Sequence, residues 1–200
     1  MCGIMAYTGN RNASSVVVNG LKKLEYRGYD SWGIALLGNS KIEVMKKVGK
    51  IGDFSGELKE CSTAIAQTRW ATHGNVSEIN AHPHLSCDKT IAVVHNGIIE
   101  NYNELKAILE EKHRFISQTD TEVIPHLIEE ELKSNDFEEA VRRSLARLEG
   151  TFAVAVLNKD SSRIICARKG SPLVIGLGDD GLFAASDVTA FLEHTKKAIF

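Results

Sequence analysis

The sequence predicts an α+β fold in which two β-sheets lie between two layers of helix. The first observation is the order of the elements, because strands come first, three helices follow, and strands return, as in segregated α+β layers. The second is that strands such as residues 91–94 are apolar throughout, which indicates sheets covered on both faces. With 200 residues, 43% of them hydrophobic, the chain has enough apolar side chains for a buried core.

Short apolar runs in the first half predict strands around one early helix. The strands are expected at residues 3–8, 32–37, 42–48, 64–68 and 91–94. The helix is expected over residues 13–24, because Val17, Leu21 and Leu24 recur on one face. Glycines divide residues 50–59, which predicts a loop with a short helix.

Three helices and a second group of strands are predicted after residue 100. Apolar spacing favours a helix over residues 101–112, and Thr119 with Glu122 has the pattern of a capping box for a helix to about residue 133. Asp136 opens the third helix. The later elements are strands at residues 152–157, 163–167, 173–175 and 182–185 and a short helix over 188–194.

Charge and cysteine usage exclude several classes of protein. The net charge is −2, so the chain has no overall positive potential that would attract nucleic acid or an anionic membrane. No apolar run approaches the roughly 20 residues of a membrane span, and no secretory signal is visible. The four cysteines form no C-x-x-C pair, so free thiols and a cytoplasmic location are expected.

Cys2 is the strongest candidate for chemistry. Removal of Met1 would leave its thiol, with an ordinary pKa of about 8.5, on the same residue as a free α-amine of pKa about 7.7–8.0. The amine then serves as base for its own thiol, directly or through a water molecule. Because an apolar strand follows from Gly3, we expect this terminus to be tied into a sheet.

Four polar clusters supply the other groups that a glutamine side-chain amidase needs. They are residues 26–31, 68–74, 95–97 and 119–122. Asn96 and Gly97 offer a side-chain amide and a glycine N–H for the oxyanion of a tetrahedral intermediate. Arg69 offers a bidentate partner for the substrate carboxylate, and Asp120 an anion for its ammonium group.

Three further residues extend the 68–74 cluster, and ordinary structural roles remain open for all of them. Thr72 or His73 adds donors beside Arg69, and Trp70 is bulky enough to cover the site. Alternatively, Asn96-Gly97 is a turn dipeptide, Asp120 favours a helix first turn, Arg69 makes a surface salt bridge, and Trp70 lies in the core.

The combination resembles the glutaminase domains of the class II, N-terminal-nucleophile amidotransferases. The similarity spans most of the chain and is carried by residues 24–31, 69–74, 95–102 and 119–122. It implies the four-layer αββα sandwich of N-terminal-nucleophile hydrolases, L-glutamine as substrate, a Cys2 γ-glutamyl thioester, and no cofactor or metal. The implied roles are oxyanion hole for Asn96 and Gly97, carboxylate binding for Arg69, Thr72 and His73, amine binding for Asp120, a gate for Trp70, and support of the nucleophile for Arg27.

Within the family, these motifs are most similar to members that pass the ammonia to fructose 6-phosphate. That similarity implies that residues 1–200 are a glutaminase domain, that sugar-phosphate isomerase domains follow in a longer protein, and that this protein is a homo-oligomer. Two departures from the usual pattern lie off the chemistry: Met5-Ala6 replaces Val-Gly, and Trp32 replaces a small residue. Both are expected to alter packing near Cys2.

Other functions stay open at this stage. The chain fits the glutaminase of a phosphoribosyl-pyrophosphate or asparagine-forming amidotransferase, an N-terminal-nucleophile acylase or peptidase, or a non-catalytic module on the same fold. A zinc site built from His73, His82, His84 and Cys87 is disfavoured because the spacing matches no familiar pattern.

Two further patterns are set aside. The glycines at 176, 178 and 181 match a dinucleotide fingerprint but lead into a strand. Glu122 and His126 are expected to be an i, i+4 pair on a helix surface.

Overall fold

The computed structural model describes residues 2–39, 41–52 and 54–200, and within these ranges it contains eleven strands and four α-helices. The strands are β1 (Gly3–Gly9), β2 (Ser31–Gly38), β3 (Lys41–Val48), β4 (Thr63–Arg69), β5 (His84–Leu85), β6 (Ile91–Ile99), β7 (Gly150–Asn158), β8 (Ile164–Lys169), β9 (Val174–Gly178), β10 (Gly181–Ala185) and β11 (Ala198–Ile199). The helices are α1 (Ala13–Lys23), α2 (Tyr102–Leu109), α3 (Val123–Glu131) and α4 (Phe137–Ala146).

The strands form two sheets. The larger has the order β11-β9-β10-β1-β4-β2-β3, and the smaller has the order β5-β6-β7-β8. β1 lies inside the larger sheet, paired antiparallel with β10 on one side and β4 on the other. Because Gly3 pairs with Thr68, Cys2 comes out of the sheet beside the end of β4.

Three apolar clusters show how the layers stack. One packs α1 on the outer face of the larger sheet, with Val17 and Leu21 fully buried. A second lies between the sheets and is built around Ile4 and Ile65. The third packs α2, α3 and α4 on the smaller sheet. The αββα order predicted from the sequence is therefore confirmed.

Capping explains where two of the helices begin. The Asn12 side chain accepts a hydrogen bond from the Ser14 N–H at 3.2 Å and starts α1. The Asp136 side chain accepts from the Glu139 N–H at 2.9 Å and starts α4, as predicted. Each cap satisfies a backbone N–H that has no partner within the helix.

The predicted capping box is wrong. The Thr119 side chain makes no cap hydrogen bond, and a 3₁₀ turn, Asp120–Glu122, precedes α3. The Glu122 carboxylate instead accepts from the N–H groups of Ile116 and Ser117, at 2.8 and 2.7 Å. Glu122 and His126 are also both buried, so the predicted surface pair is wrong as well.

Other element predictions need smaller corrections. The described residues of 50–59 contain no helix, and Asp53 lies outside the described residues. The helix expected over 188–194 is a single 3₁₀ turn, Val188–Ala190. Gly176 and Gly181 lie on the antiparallel pair β9 and β10, which agrees with setting aside the dinucleotide fingerprint. Within the described ranges, the helices are too short or too polar to cross a membrane.

Of the residues that depart from the family pattern, Met5 and Trp32 lie in the core beneath α1, and Ala6 lies between the two sheets. Met5 is fully buried, and a Cβ placed on Gly20 of α1 would lie 2.8 Å from the Met5 Cγ atom. A glycine at position 20 therefore lets the helix approach the larger side chain. Trp32 is 2% exposed and packs edge-on against Phe54, with ring centroids 5.0 Å apart.

Candidate active site

One cavity, here called the Cys2 pocket, brings together eight of the nine predicted site residues. It is lined by Cys2, Arg69, Trp70, Thr72, His73, Asn96, Gly97 and Asp120, with His82, His95, Thr119 and Thr121. Its free space is about 30 Å³, room for one or two water molecules. Glutamine therefore does not fit until part of the lining moves. A larger cavity of about 630 Å³ beside α1 contains none of these residues.

The Cys2 thiol lies between the main-chain groups of Trp70. The Trp70 N–H donates to Sγ at 3.2 Å, and Sγ lies 3.5 Å from the Trp70 carbonyl oxygen. Burial raises the pKa of the Cys2 thiol. Nucleophilic attack at neutral pH therefore requires a base. The predicted base is the α-amine freed by loss of Met1, and Met1 lies outside the described residues.

Two side chains fix the carbonyl group of Cys2. Arg27 Nε donates to the Cys2 carbonyl oxygen at 3.2 Å, and Asn96 Nδ2 donates to it at 3.0 Å. The Arg27 guanidinium also lies 3.9 Å from a carboxylate oxygen of Asp187. This geometry agrees with a supporting role for Arg27, the one predicted residue outside the pocket lining.

The Asn96 amide is held in one orientation. Its Nδ2 donates to Ser186 Oγ at 2.9 Å as well as to Cys2, and its Oδ1 accepts from Gln67 Nε2 at 2.9 Å. Both amide hydrogens thus have protein acceptors. Sequence reasoning missed Gln67 and Ser186, since one lies in a buried strand and the other in no motif.

Gly97 occupies a backbone conformation that excludes side chains. Its φ is +133°, and a Cβ at this position would lie 2.0 Å from the Thr151 carbonyl oxygen. Asn96 and Gly97 are both inside β6, paired with Ala153 and Phe152 of β7. The alternative of a simple turn dipeptide is therefore wrong.

Gly97→Ala is expected to destabilise the fold by about 3 kcal/mol or more, because the methyl group meets backbone and φ is unfavourable. Urea unfolding followed by circular dichroism measures the change in the free energy of unfolding. Gly49→Ala is the matched control: Gly49 also has a positive φ, of +95°, but a Cβ there meets no atom within 4 Å. Equal destabilisation by the two substitutions would contradict the importance of the Thr151 contact.

Arg69 is buried at the end of β4 and organises the loop that follows. Its NH1 donates to the Asn75 carbonyl at 3.3 Å, and its NH2 contacts the carbonyls of His73 and Gly74. Burial lowers the pKa of Arg69. The surface salt bridge considered from the sequence is therefore wrong, since the side chain is 3% exposed and bonds to main chain.

Asp120 connects the 3₁₀ turn to the end of β6. It is 5% exposed, and its Oδ2 accepts from the Ile99 N–H at 2.8 Å. The carboxylate thus has a structural partner, and it also lines the Cys2 pocket.

The remaining predicted residues lie on the loop after β4. Trp70 is 43% exposed and packs edge-on against Tyr29, with ring centroids 5.2 Å apart, so it is not a core residue. The Thr72 hydroxyl lies 3.3 Å from His73 Nδ1. The Ala71 N–H donates to Asp30 Oδ2 at 2.8 Å, which holds the start of the loop.

A cysteine at the head of a central strand, in a two-sheet sandwich covered by helices, is the architecture of the N-terminal-nucleophile hydrolases. Residues 68–193, more than half of the chain, match the model of the glutamine amidotransferase domain. The chain belongs to the glutamine amidotransferase domain family.

Two curated relatives and one solved structure give the scale of similarity. The chain is 52% identical to glutamine–fructose-6-phosphate aminotransferase (isomerizing) of Pyrococcus horikoshii, over 100% of the chain and 35% of that protein. The enzyme of the same name from a strain of Thermus thermophilus is 48% identical, over 100% of the chain and 34% of that protein. Glutamine phosphoribosylpyrophosphate amidotransferase from B. subtilis superposes with a TM-score of 0.81 at 29% identity, over 95% of the chain and 43% of that structure. The chain spans about a third of the length of its curated relatives.

Proposed function

We propose that this chain hydrolyses the side-chain amide of L-glutamine to glutamate and ammonia through a γ-glutamyl thioester on Cys2. The observation that carries the proposal is that the Cys2 thiol shares one pocket with Arg69, Asn96, Gly97 and Asp120. A nucleophile, oxyanion donors and ligands for both ends of an amino acid are thus in one place. An assay of ammonia release from glutamine, against asparagine and larger amides, tests it directly.

The proposed reaction proceeds in two steps. The α-amine of Cys2, free after loss of Met1, takes the thiol proton, and sulfur attacks the glutamine side-chain carbonyl carbon. Asn96 and Gly97 stabilise the oxyanion, and the new ammonium group returns the proton to the leaving nitrogen as the C–N bond breaks. Water then attacks the thioester, giving glutamate and restoring the thiol.

Substrate binding requires rearrangement of the loop after β4, because the pocket holds about 30 Å³. We infer that Trp70 moves first, since it is the bulkiest exposed side chain of the lining, at 43% exposure. Thr72 and His73 then join Arg69 around the α-carboxylate.

Asp120→Asn is expected to raise the KM for glutamine by roughly 10- to 100-fold, since a charge-assisted contact contributes about 1.5–3 kcal/mol. The asparagine keeps an oxygen for the Ile99 N–H and removes only the charge. Steady-state kinetics should show a much smaller change for a glutamine analogue without the α-amine. Equal effects on both substrates would exclude the contact between Asp120 and the amine.

The longer protein is proposed to use this ammonia to aminate fructose 6-phosphate, giving glucosamine 6-phosphate. Support comes from the names of the curated relatives and from their higher identity, 52% against 29% for the phosphoribosylpyrophosphate enzyme. Isomerase domains beyond residue 200, a homo-oligomer and a cytoplasmic location belong to the same proposal. Residues 1–200 alone should release ammonia and form no amino sugar.

A further inference from the structure

A second group of reactive side chains, here called the Cys87 cluster, consists of Cys87, His113, His126 and Glu129. One ligand atom from each lies within 4.8 Å of all the others. Cys87 is in the turn between β5 and β6, His113 follows α2, and the other two are on α3. None of the four lines the Cys2 pocket.

The distances match the edges of a tetrahedron around a metal ion. Cys87 Sγ is 3.6 Å from His113 Nδ1 and 3.8 Å from His126 Nδ1. Glu129 Oε2 is 3.0 and 3.4 Å from the same two nitrogens. Zinc bonds are about 2.3 Å long to sulfur and about 2.0–2.2 Å long to nitrogen or oxygen. In a tetrahedron these lengths place sulfur about 3.6 Å from nitrogen, and nitrogen about 3.4 Å from oxygen.

Neighbouring groups hold the ligand atoms toward this centre. His113 Nε2 lies 2.8 Å from Glu130 Oε1, and a hydrogen bond donated there would orient the ring with Nδ1 toward the ion. The Cys87 N–H donates to Glu129 Oε2 at 3.0 Å, and the Arg114 N–H donates to Cys87 Sγ at 3.4 Å. His126 and His113 are 1% and 7% exposed, so their rings are fixed by packing.

We propose that the Cys87 cluster binds one Zn²⁺ per chain. A thiolate, two neutral imidazoles and a carboxylate give two negative charges that balance the ion, in a donor set that zinc accepts. Four protein ligands leave no open position, so the site is structural rather than catalytic. Cys87 is exposed and provides the route of entry.

This proposal goes against the absence of metal implied by the family resemblance. The zinc set that was disfavoured from the sequence, His73, His82, His84 and Cys87, shares only Cys87 with this one. His113, His126 and Glu129 are separated from Cys87 by 26 to 42 positions, and the fold alone brings them to it. Bound zinc would join the turn before β6 to α3 and to the segment after α2.

Metal binding is tested by titration of chelator-treated protein with Zn²⁺ in competition with a chromophoric chelator. Cys2→Ala serves as the parent, so that the thiol of the Cys2 pocket takes no part. The expected result is one Zn²⁺ per chain. Adding Cys87→Ala or His113→Ala should weaken binding by at least about 100-fold, and adding Cys61→Ala, a free cysteine outside the cluster, should leave it unchanged.

Two further readouts identify the ligands. Co²⁺ in place of Zn²⁺ should give a thiolate-to-cobalt charge-transfer band and the intense visible bands of tetrahedral coordination, both lost with Cys87→Ala. Zn²⁺ should raise the Tm of the parent and not of that variant. Substoichiometric binding by the parent, or a six-coordinate cobalt spectrum without the thiolate band, would overturn the proposal even if a variant failed to fold. None of these measurements depends on glutaminase activity.

Discussion

Cys2→Ala is expected to abolish glutamine hydrolysis, with a loss of kcat on the order of 10⁶-fold, as for removal of the nucleophile in a serine protease. The alanine side chain has no atom that can attack the amide carbonyl. The fold should persist, because β1 is paired with β4 from Gly3 onward and with β10 from Met5 onward. Ammonia release coupled to a dehydrogenase measures the loss, and circular dichroism verifies the fold.

Cys61→Ala is the matched control for loss of a thiol. Cys61 is partly buried against the core under α1 and lies outside the Cys2 pocket, so glutaminase activity should remain. A glutamine-like diazo-ketone should label Cys2 and leave Cys61 unmodified. Substantial residual activity in Cys2→Ala, or active protein whose mass shows Met1 retained, would defeat the proposed mechanism.

Asn96→Ala is expected to lower kcat by roughly 10²–10³-fold, as for loss of one oxyanion donor elsewhere. KM for glutamine should change less, because the donor acts on charge that develops in the transition state. The substitution also removes the hydrogen bonds to Cys2, Ser186 and Gln67. Single-turnover kinetics measure the effect on the chemical step, and urea unfolding measures the loss of stability separately.

Asn96→Asp provides the comparison that separates the two roles. The carboxylate keeps an acceptor for Gln67 but replaces the donor with a negative charge that repels the oxyanion. Its kcat should fall at least as far as that of Asn96→Ala. A loss below about tenfold in both variants would show that Asn96 positions the Cys2 carbonyl and does not stabilise the intermediate.

Apolar periodicity predicted the layers well because burial dominates in this chain. Ile4, Ile65 and Val94 are fully buried between the two sheets, and their neighbours Met5, Ala66 and Val93 are buried under the helix layers, so these strands carry apolar residues on both faces. The candidate site residues could be proposed from the sequence because they occur as short contiguous clusters, which the fold places at the end of β4, inside β6 and in the 3₁₀ turn before α3. Two sheets then bring those clusters together around one thiol.

Long-range hydrogen bonds explain what the sequence failed to indicate. Gln67 and Ser186 orient Asn96 from positions 29 and 90 residues away along the chain. Such distant partners depend on the packed structure and leave no local pattern in the sequence. The capping box failed for a different, local reason, since Glu122 accepts from N–H groups five and six residues before it instead of capping its own helix.

The position of β1 has a practical consequence for recombinant expression. Because β4 and β10 enclose this strand and the Trp70 N–H donates to the Cys2 thiol, Cys2 is held with its backbone nitrogen beside the Trp70 loop. Residues fused ahead of Cys2 would convert that nitrogen into an amide and would leave the fold beside the Trp70 loop. An affinity tag should therefore follow Phe200, whereas an uncleaved tag before Cys2 should yield folded, inactive protein.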